Sequence, residues 1–263
     1  MIENKSMKHG DEWLPYPRYL LRKQLVKILL RREGLRGKKC LEIGYGSGDM
    51  LLLYAELGLE TYGFDFSTLA SQNASERIAR NDELKKRIIL YEQEADIEQM
   101  KYDYLMAYEV LEHIQDDAAA LGKWASLLAD GGKLILSVPA HKSKWGDSDI
   151  AVGHYRRYEK EELRELCSKC GITVQYMWCY GFPLTVLLDP LLHASRRDEA
   201  KDSVNASRED RSKESGVKRK KNILYRLLFN DFILSPFYLL QILFLNMDLG
   251  SGYILVGEVR NKR

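Results

Sequence analysis

Short apolar runs, set off by glycine, alternate with amphipathic stretches along most of this chain. Residues 13–33 form a helical lead-in. In "PRYLLRKQLVKILLRR" the spacing puts Leu21, Leu25, Ile28 and Leu29 on one face. Pro15 and Pro17 stand just before that run, where a missing N–H costs little. "KKCLEIG" is a strand ending in a glycine loop, and "DMLLLYAELG" a helix stopped by Gly58. "ETYGFDF" is a second strand, followed by the helix "STLASQNASERIAR" with Ser67 as its N-cap. "RIILYEQEAD" and "YDYLMAYEV" are the third and fourth strands. "DDAAALGKWASLLAD" is a helix closed by Gly131 and Gly132, and "GKLILSVPA" a fifth strand. After a helix at 159–170, "ITVQYMWCYG" and "SGYILVGEVR" supply strands six and seven. Strands and helices alternating this regularly imply an α/β fold with a mainly parallel, doubly wound sheet. Any ligand then sits along the edge formed by the strand ends.

The last two strands are separated by a long insertion. Its middle, residues 195–221, has almost no apolar content and reads as a disordered loop, between apolar helices at about 183–194 and 222–246. The longest apolar region, residues 223–247, is broken by Arg226, Asn230, Asp231 and Pro236. Its unbroken part is shorter than the roughly 20 residues of a spanning helix.

With 263 residues the chain is long enough to bury a sizeable core, and 45% hydrophobic and 30% charged residues are ordinary globular usage. The formal net charge of +2 gives no support for non-specific nucleic-acid binding. Four sparse cysteines and a polar start without an apolar signal core suggest a reduced, cytoplasmic protein. Cys167 and Cys170 form a lone CxxC with no second pair or matching histidines, so no metal is expected.

The loop "LEIGYGSGD" narrows the chemistry. A dinucleotide fingerprint needs a third glycine where Asp49 stands, and a P-loop needs a Gly-Lys-Ser/Thr ending. Asp49 at the helix start would repel a pyrophosphate. S-adenosylmethionine, which carries no phosphate, suits the loop better. Gly44, Gly46 and Gly48 let the backbone approach its methionine part, and Glu42 can accept hydrogen bonds near the ammonium. Asp65, about twenty residues on, can hold the ribose hydroxyls. Asp96 can accept from the adenine amine, with Ile97 against the ring.

"LEIGYGSGD", "GFDFS", "EADIE" and "YDYLMAYEVLEHI", in that order and spacing, resemble the class I S-adenosylmethionine-dependent methyltransferases, the small-molecule type with a Leu-Glu-His motif. The resemblance is strongest over residues 35–180. It implies a Rossmann-like sheet of about seven strands with the last one antiparallel, and cofactor contacts at Glu42, Gly44, Tyr45, Gly46, Asp65, Phe66, Asp96, Ile97 and Glu109. Tyr45 departs from the small residue common at that place. "DEWLPYPRYLLRK" resembles the lead-in of a bacterial subgroup, so that Trp13, Tyr16, Arg18 and Tyr19 fold over the cofactor as a lid. The organisation expected is a lid over 1–34, the cofactor-binding core over 35–181, a helical cap over 182–250 and the final strand over 251–263.

"VPAHKSKWGDSDIAVGHYRRYEKEEL" resembles the same subgroup's "VPAH…D…GHxRRY" segment, with Glu159 replacing a common threonine cap. His154, then His141, are candidate general bases for a hydroxyl or ammonium acceptor. Arg157 and Tyr158 either contact the substrate or cofactor, or brace the loop against Asp149 or backbone carbonyls. Nucleic acid is disfavoured as acceptor, because "YEVLEH" occupies the place of an Asn/Asp-Pro-Pro-Tyr/Phe or Pro-Cys motif. The expectation is methyl transfer to oxygen or nitrogen of a small-molecule, peptide or lipid-linked acceptor, with the oligomeric state left open. A basic-then-apolar order over residues 218–247 adds a possible peripheral membrane contact. The alternatives are a non-catalytic cofactor-binding scaffold and a nicotinamide oxidoreductase.

Overall fold

A computed structural model of the protein describes residues 15–31, 35–195, 207–208, 211 and 231–259. Its strands are β1 (Lys39–Ile43), β2 (Glu60–Phe64), β3 (Ile88–Tyr91), β4 (Tyr102–Tyr108), β5 (Leu128–Pro139), β6 (Ile172–Tyr180) and β7 (Gly252–Val259). They form one sheet in the order β3-β2-β1-β4-β5-β7-β6. β1 to β5 pair in parallel, and β7 runs antiparallel between β5 and β6. The order reverses between β1 and β4, so the crevice outside their carboxyl ends is the expected ligand site.

The helices are α1 (Pro17–Arg31), α2 (Asp49–Glu56), α3 (Thr68–Ile78), α4 (Glu94–Ile97), α5 (Asp117–Leu127), α6 (Asp147–Val152), α7 (Lys160–Lys169), α8 (Leu184–Ser195) and α9 (Asp231–Phe244). They cover both faces of the sheet. One core gathers Leu25, Val26 and Leu30 of α1, Leu51 and Tyr54 of α2, and Ala74 and Ile78 of α3. The other holds Ile97, Trp124 and Leu127 with Leu163 and Cys167 of α7. A smaller cluster joins Leu20 and Leu21 to Leu184 of α8 and Leu234 of α9, and Gln241 Nε2 donates to the Leu21 carbonyl at 3.1 Å. Burying each such leucine is worth about 1.5–3 kcal/mol. The lead-in and the insertion helices therefore pack against each other.

Several boundaries depart from the sequence reading. The buried face of α1 is Leu21, Leu25, Val26 and Leu30, while Ile28 and Leu29 are only partly covered. β3 stops at Tyr91, and "EADI" is a helical turn rather than strand. β5 begins at Leu128, before the glycines, because Leu128 pairs with Tyr102 across a register shift. Gly131 turns inside that strand with φ 72°. Ser67 caps α3 as expected, accepting from the Ala70 N–H at 3.3 Å. Trp13, most of the loop over 195–221 and the basic run at 218–221 lie outside the described residues.

Candidate functional site

The glycine loop leaves β1 beside the carboxyl ends of β2 and β4. Gly44 adopts φ 72°, and a side chain there would run into Val110. Gly46 adopts φ 53°, and a side chain there would meet no atom of the described residues within 4 Å, so the space above it is open among them. Asp65, one residue past β2, accepts from the Gly46 N–H at 2.8 Å and the Ser67 N–H at 2.9 Å. Burial pushes the Asp65 carboxyl upward, and those two N–H groups oppose the shift. Tyr45 is buried, and its hydroxyl is 2.9 Å from Ser71 Oγ. Glu42 is buried, its Oε2 has no hydrogen-bond partner among the described residues, and burial pushes its carboxyl well above the ordinary range.

An apolar cavity of about 180 Å³ opens beside this loop, lined by Ile43, Phe64, Phe66, Ile97, Ile114 and Trp124 among others. Phe66 is 59% exposed and Ile97 buried. Asp96 lies next to Ile97 on α4, and its Oδ1 is 3.4 Å from Gln99 Nε2.

Helix α1 closes over the loop through polar contacts. Tyr19 and Lys23 both reach Asp49 Oδ2 at 2.5 Å, and Arg77 Nη1 is 3.8 Å from Oδ1. Asp49 is thus paired with cations of its own chain, Lys23 and Arg77. Glu109, at φ 57°, forms ion pairs with Arg18 and Arg22 and accepts from Ser137 at 3.1 Å and Tyr180 at 3.2 Å. Arg18, Tyr19 and Glu109 are linked to protein groups, a commitment that sequence spacing did not reveal.

The segment after β5 docks on the loop after β4, as the Tyr155 N–H donates to the Glu112 carbonyl at 2.8 Å. Asp149, 1% exposed, organises this segment. It accepts from the Gly146 N–H at 2.9 Å and from Arg157 Nε at 2.9 and 3.0 Å, and lies 2.8 Å from His154 Nδ1. Burial would raise the Asp149 carboxyl, but His154 and Arg157 outweigh it and hold it well below the usual range. Arg157 also donates to the Ala140 carbonyl at 3.3 Å, the bracing alternative of the sequence reading. Tyr158 is buried and donates to Asp117 at 2.9 Å, which Arg156 also pairs at 2.6 Å. Burial lowers the His154 pKa below its ordinary value, with Asp149 pulling the other way, and this favours the neutral ring. With Nδ1–H directed at Asp149, Nε2 is the unprotonated nitrogen of the neutral ring and faces Glu112 Oε1 at 3.7 Å.

Glu112 is 0% exposed, neither of its oxygens is hydrogen-bonded to another side chain among the described residues, and burial pushes its carboxyl up to about 8. His113 packs edge-on against His154 at 4.6 Å, and burial with His154 pushes its pKa down to about 3. Glu112, His113 and His154 bring ligand atoms within 4.8 Å of one another, a set that can take a divalent cation. From sequence, Glu112 is only part of a motif and His113, after the fourth strand, is a group that orients the loop or acts in catalysis; the juxtaposition of both with His154 is not visible there. His141 lies in a separate cluster with Cys179 and Asp248.

The family profile described as "Methyltransferase domain" matches residues 15–176, more than half of the chain. The chain belongs to this methyltransferase family. Its fold is that of the class I S-adenosylmethionine-dependent members. It is 34% identical over 105 residues to the ubiquinone biosynthesis O-methyltransferase of Alkalilimnicola ehrlichii, covering 40% of this chain and 42% of that protein. The chain thus spans less than half the length of that relative. Among solved structures, the YcgJ protein of Bacillus subtilis matches with TM-score 0.57 and 13% identity, over 92% of this chain and 100% of that one. Magnesium protoporphyrin IX methyltransferase of Synechocystis PCC 6803, with bound S-adenosylhomocysteine, matches with TM-score 0.52 and 20% identity, over 64% and 83%. At these identities the likeness is one of fold.

Proposed function

We propose that the chain holds S-adenosylmethionine at the carboxyl ends of β1 and β2 and transfers its methyl group to an oxygen or nitrogen of a small-molecule acceptor. The observation that carries this reading is the open space over Gly46 beside Asp65, with the apolar cavity between Phe66 and Ile97 at the same strand ends. Asp65 has lone pairs left for the ribose hydroxyls, and Phe66 and Ile97 flank a flat ring. Asp96 stands where it can accept from an exocyclic amine. Oxygen is favoured as the acceptor atom by the O-methyltransferase name of the relative.

S-adenosylmethionine bound there supplies an electrophilic methyl carbon on a sulfonium. The chain's part is to align the acceptor and remove its proton, and alignment alone can supply up to roughly 7–11 kcal/mol. His154 Nε2 is our choice of general base, since Asp149 orients the ring and burial favours the neutral imidazole. Arg157 positions Asp149, and Tyr158 pins the segment to Asp117. His154→Ala is expected to lower kcat by about 10²–10⁴-fold with cofactor affinity unchanged. The acid limb of the wild-type pH profile should lie below the ordinary histidine value of about 6.5. Full activity in the variant would remove His154 from this role.

A membrane-bound or lipid-linked acceptor is a second reading. It is favoured by Leu239 and Leu243 on α9, 72% and 74% exposed among the described residues. The basic residues Lys218–Lys221 precede that helix in sequence. No helix of the described residues is long and apolar enough to cross a membrane, so contact would be peripheral. The chain should co-sediment with anionic vesicles, and Leu239→Asp with Leu243→Asp should release it. Absence of binding to anionic vesicles would discard this reading.

A further inference from the structure

His141, Cys179 and Asp248 come from three distant places: just past β5, near the end of β6, and in the turn before β7. Each offers one ligand atom, and the three lie within 4.8 Å of one another. His141 Nε2 is 3.7 Å from Cys179 Sγ and 3.9 Å from Asp248 Oδ1. Tetrahedral zinc, at about 2.3 Å from sulfur and about 2.0–2.1 Å from nitrogen and oxygen, separates S from N by about 3.5 Å and N from O by about 3.4 Å. The two His141 separations exceed these by about 0.2 and 0.5 Å, a small inward movement.

The surroundings match those of a metal-bound imidazole. His141 Nδ1, the nitrogen turned away from the cluster, faces the Tyr253 hydroxyl at 3.4 Å and Glu159 Oε2 at 3.8 Å. Such partners orient a ligating ring and set which nitrogen is free. The His141 ring also packs edge-on against Tyr253 at 5.5 Å. Cys179 is buried, whereas Asp248 is exposed and leaves one side of the cluster open to solvent. Lys144 is the neighbouring positive charge. Its ammonium donates to the Gly250 carbonyl at 2.6 Å, which steadies the turn carrying Asp248.

We propose that His141 Nε2, Cys179 Sγ and Asp248 Oδ1 ligate a divalent cation of the zinc class, with a fourth position open to solvent. Thiolate with imidazole selects zinc over magnesium or calcium. On binding, the Cys179 S–H bond breaks, its proton passes to solvent and the thiolate sulfur forms the metal bond. The ion would tie the exit of β5 to β6 and to the entry of β7. The site is separate from the Glu112, His113 and His154 group, which contains no sulfur.

The test is titration of the metal-free full-length chain with Co²⁺ as a spectroscopic substitute for zinc. The expected result is a near-ultraviolet sulfur-to-cobalt charge-transfer band that saturates at a single equivalent and is bleached by Zn²⁺. Cys179→Ser should abolish the band, and Asp248→Asn should weaken binding roughly tenfold or more. The band should survive in Cys167→Ser/Cys170→Ser and in Glu112→Gln. Circular dichroism checks folding, and if Cys179→Ser fails to fold, the wild-type band and the Asp248→Asn titration decide. Absence of the band in the wild type, its persistence in Cys179→Ser, or an unchanged Asp248→Asn titration would overturn the proposal.

Discussion

Asp149→Asn is expected to destabilise the protein by about 3–5 kcal/mol, the cost of removing one partner from a buried ion pair. The Arg157 guanidinium, 5% exposed, would lose its counter-charge. His154 would lose the group that orients its ring, so activity should fall as well. The acid dependence follows from the sign of the shift. The Asp149 carboxyl is held below its ordinary value in the folded chain. Its contribution is therefore complete above the unfolded value of about 3.9 and is lost as the pH falls through the folded one. Urea unfolding of the two proteins should show a wide gap at neutral pH that narrows below about pH 4. An equal gap at both would mean that the charge is not what stabilises this segment.

Asp65→Ala should weaken cofactor binding by about 3 kcal/mol, roughly a hundredfold, because charge-assisted hydrogen bonds are worth about 1.5–3 kcal/mol each. The loss has two sources. The ribose hydroxyls would lose their acceptor, and the Gly46 N–H would lose the carboxylate that holds the loop in shape. S-adenosylhomocysteine should raise the wild-type melting temperature by mass action, and the same concentration should leave Asp65→Ala nearly unmoved. A shift of equal size in both would take Asp65 out of the site.

The fold was legible because its punctuation is local. Glycines, an N-cap serine and alternating apolar runs each act within a few residues, and they located all seven strands. Boundaries were less legible where a partner decides them. Leu128 joins β5 only because Tyr102 lies opposite, and the buried face of α1 includes Val26 and Leu30 through packing on α2 and the sheet. Within the candidate site, the glycine loop and Asp65 announced themselves by spacing. The Asp149, His154 and Arg157 cluster was partly legible, since its members lie within eight residues of one another. The closeness of Glu112 to His154, and of His141 to Cys179 and Asp248, was not legible, because these groups meet only through the sheet topology. The partners of Asp49 were not legible either: Tyr19 donates to it and Lys23 pairs with it only because α1 folds over the glycine loop.

Calorimetric titration of the purified chain with S-adenosylmethionine, S-adenosylhomocysteine and NAD tests the central claim most directly. The account predicts micromolar binding of the first two, at one site per chain, and none of NAD. Binding of NAD alone, or of none of the three, would contradict it.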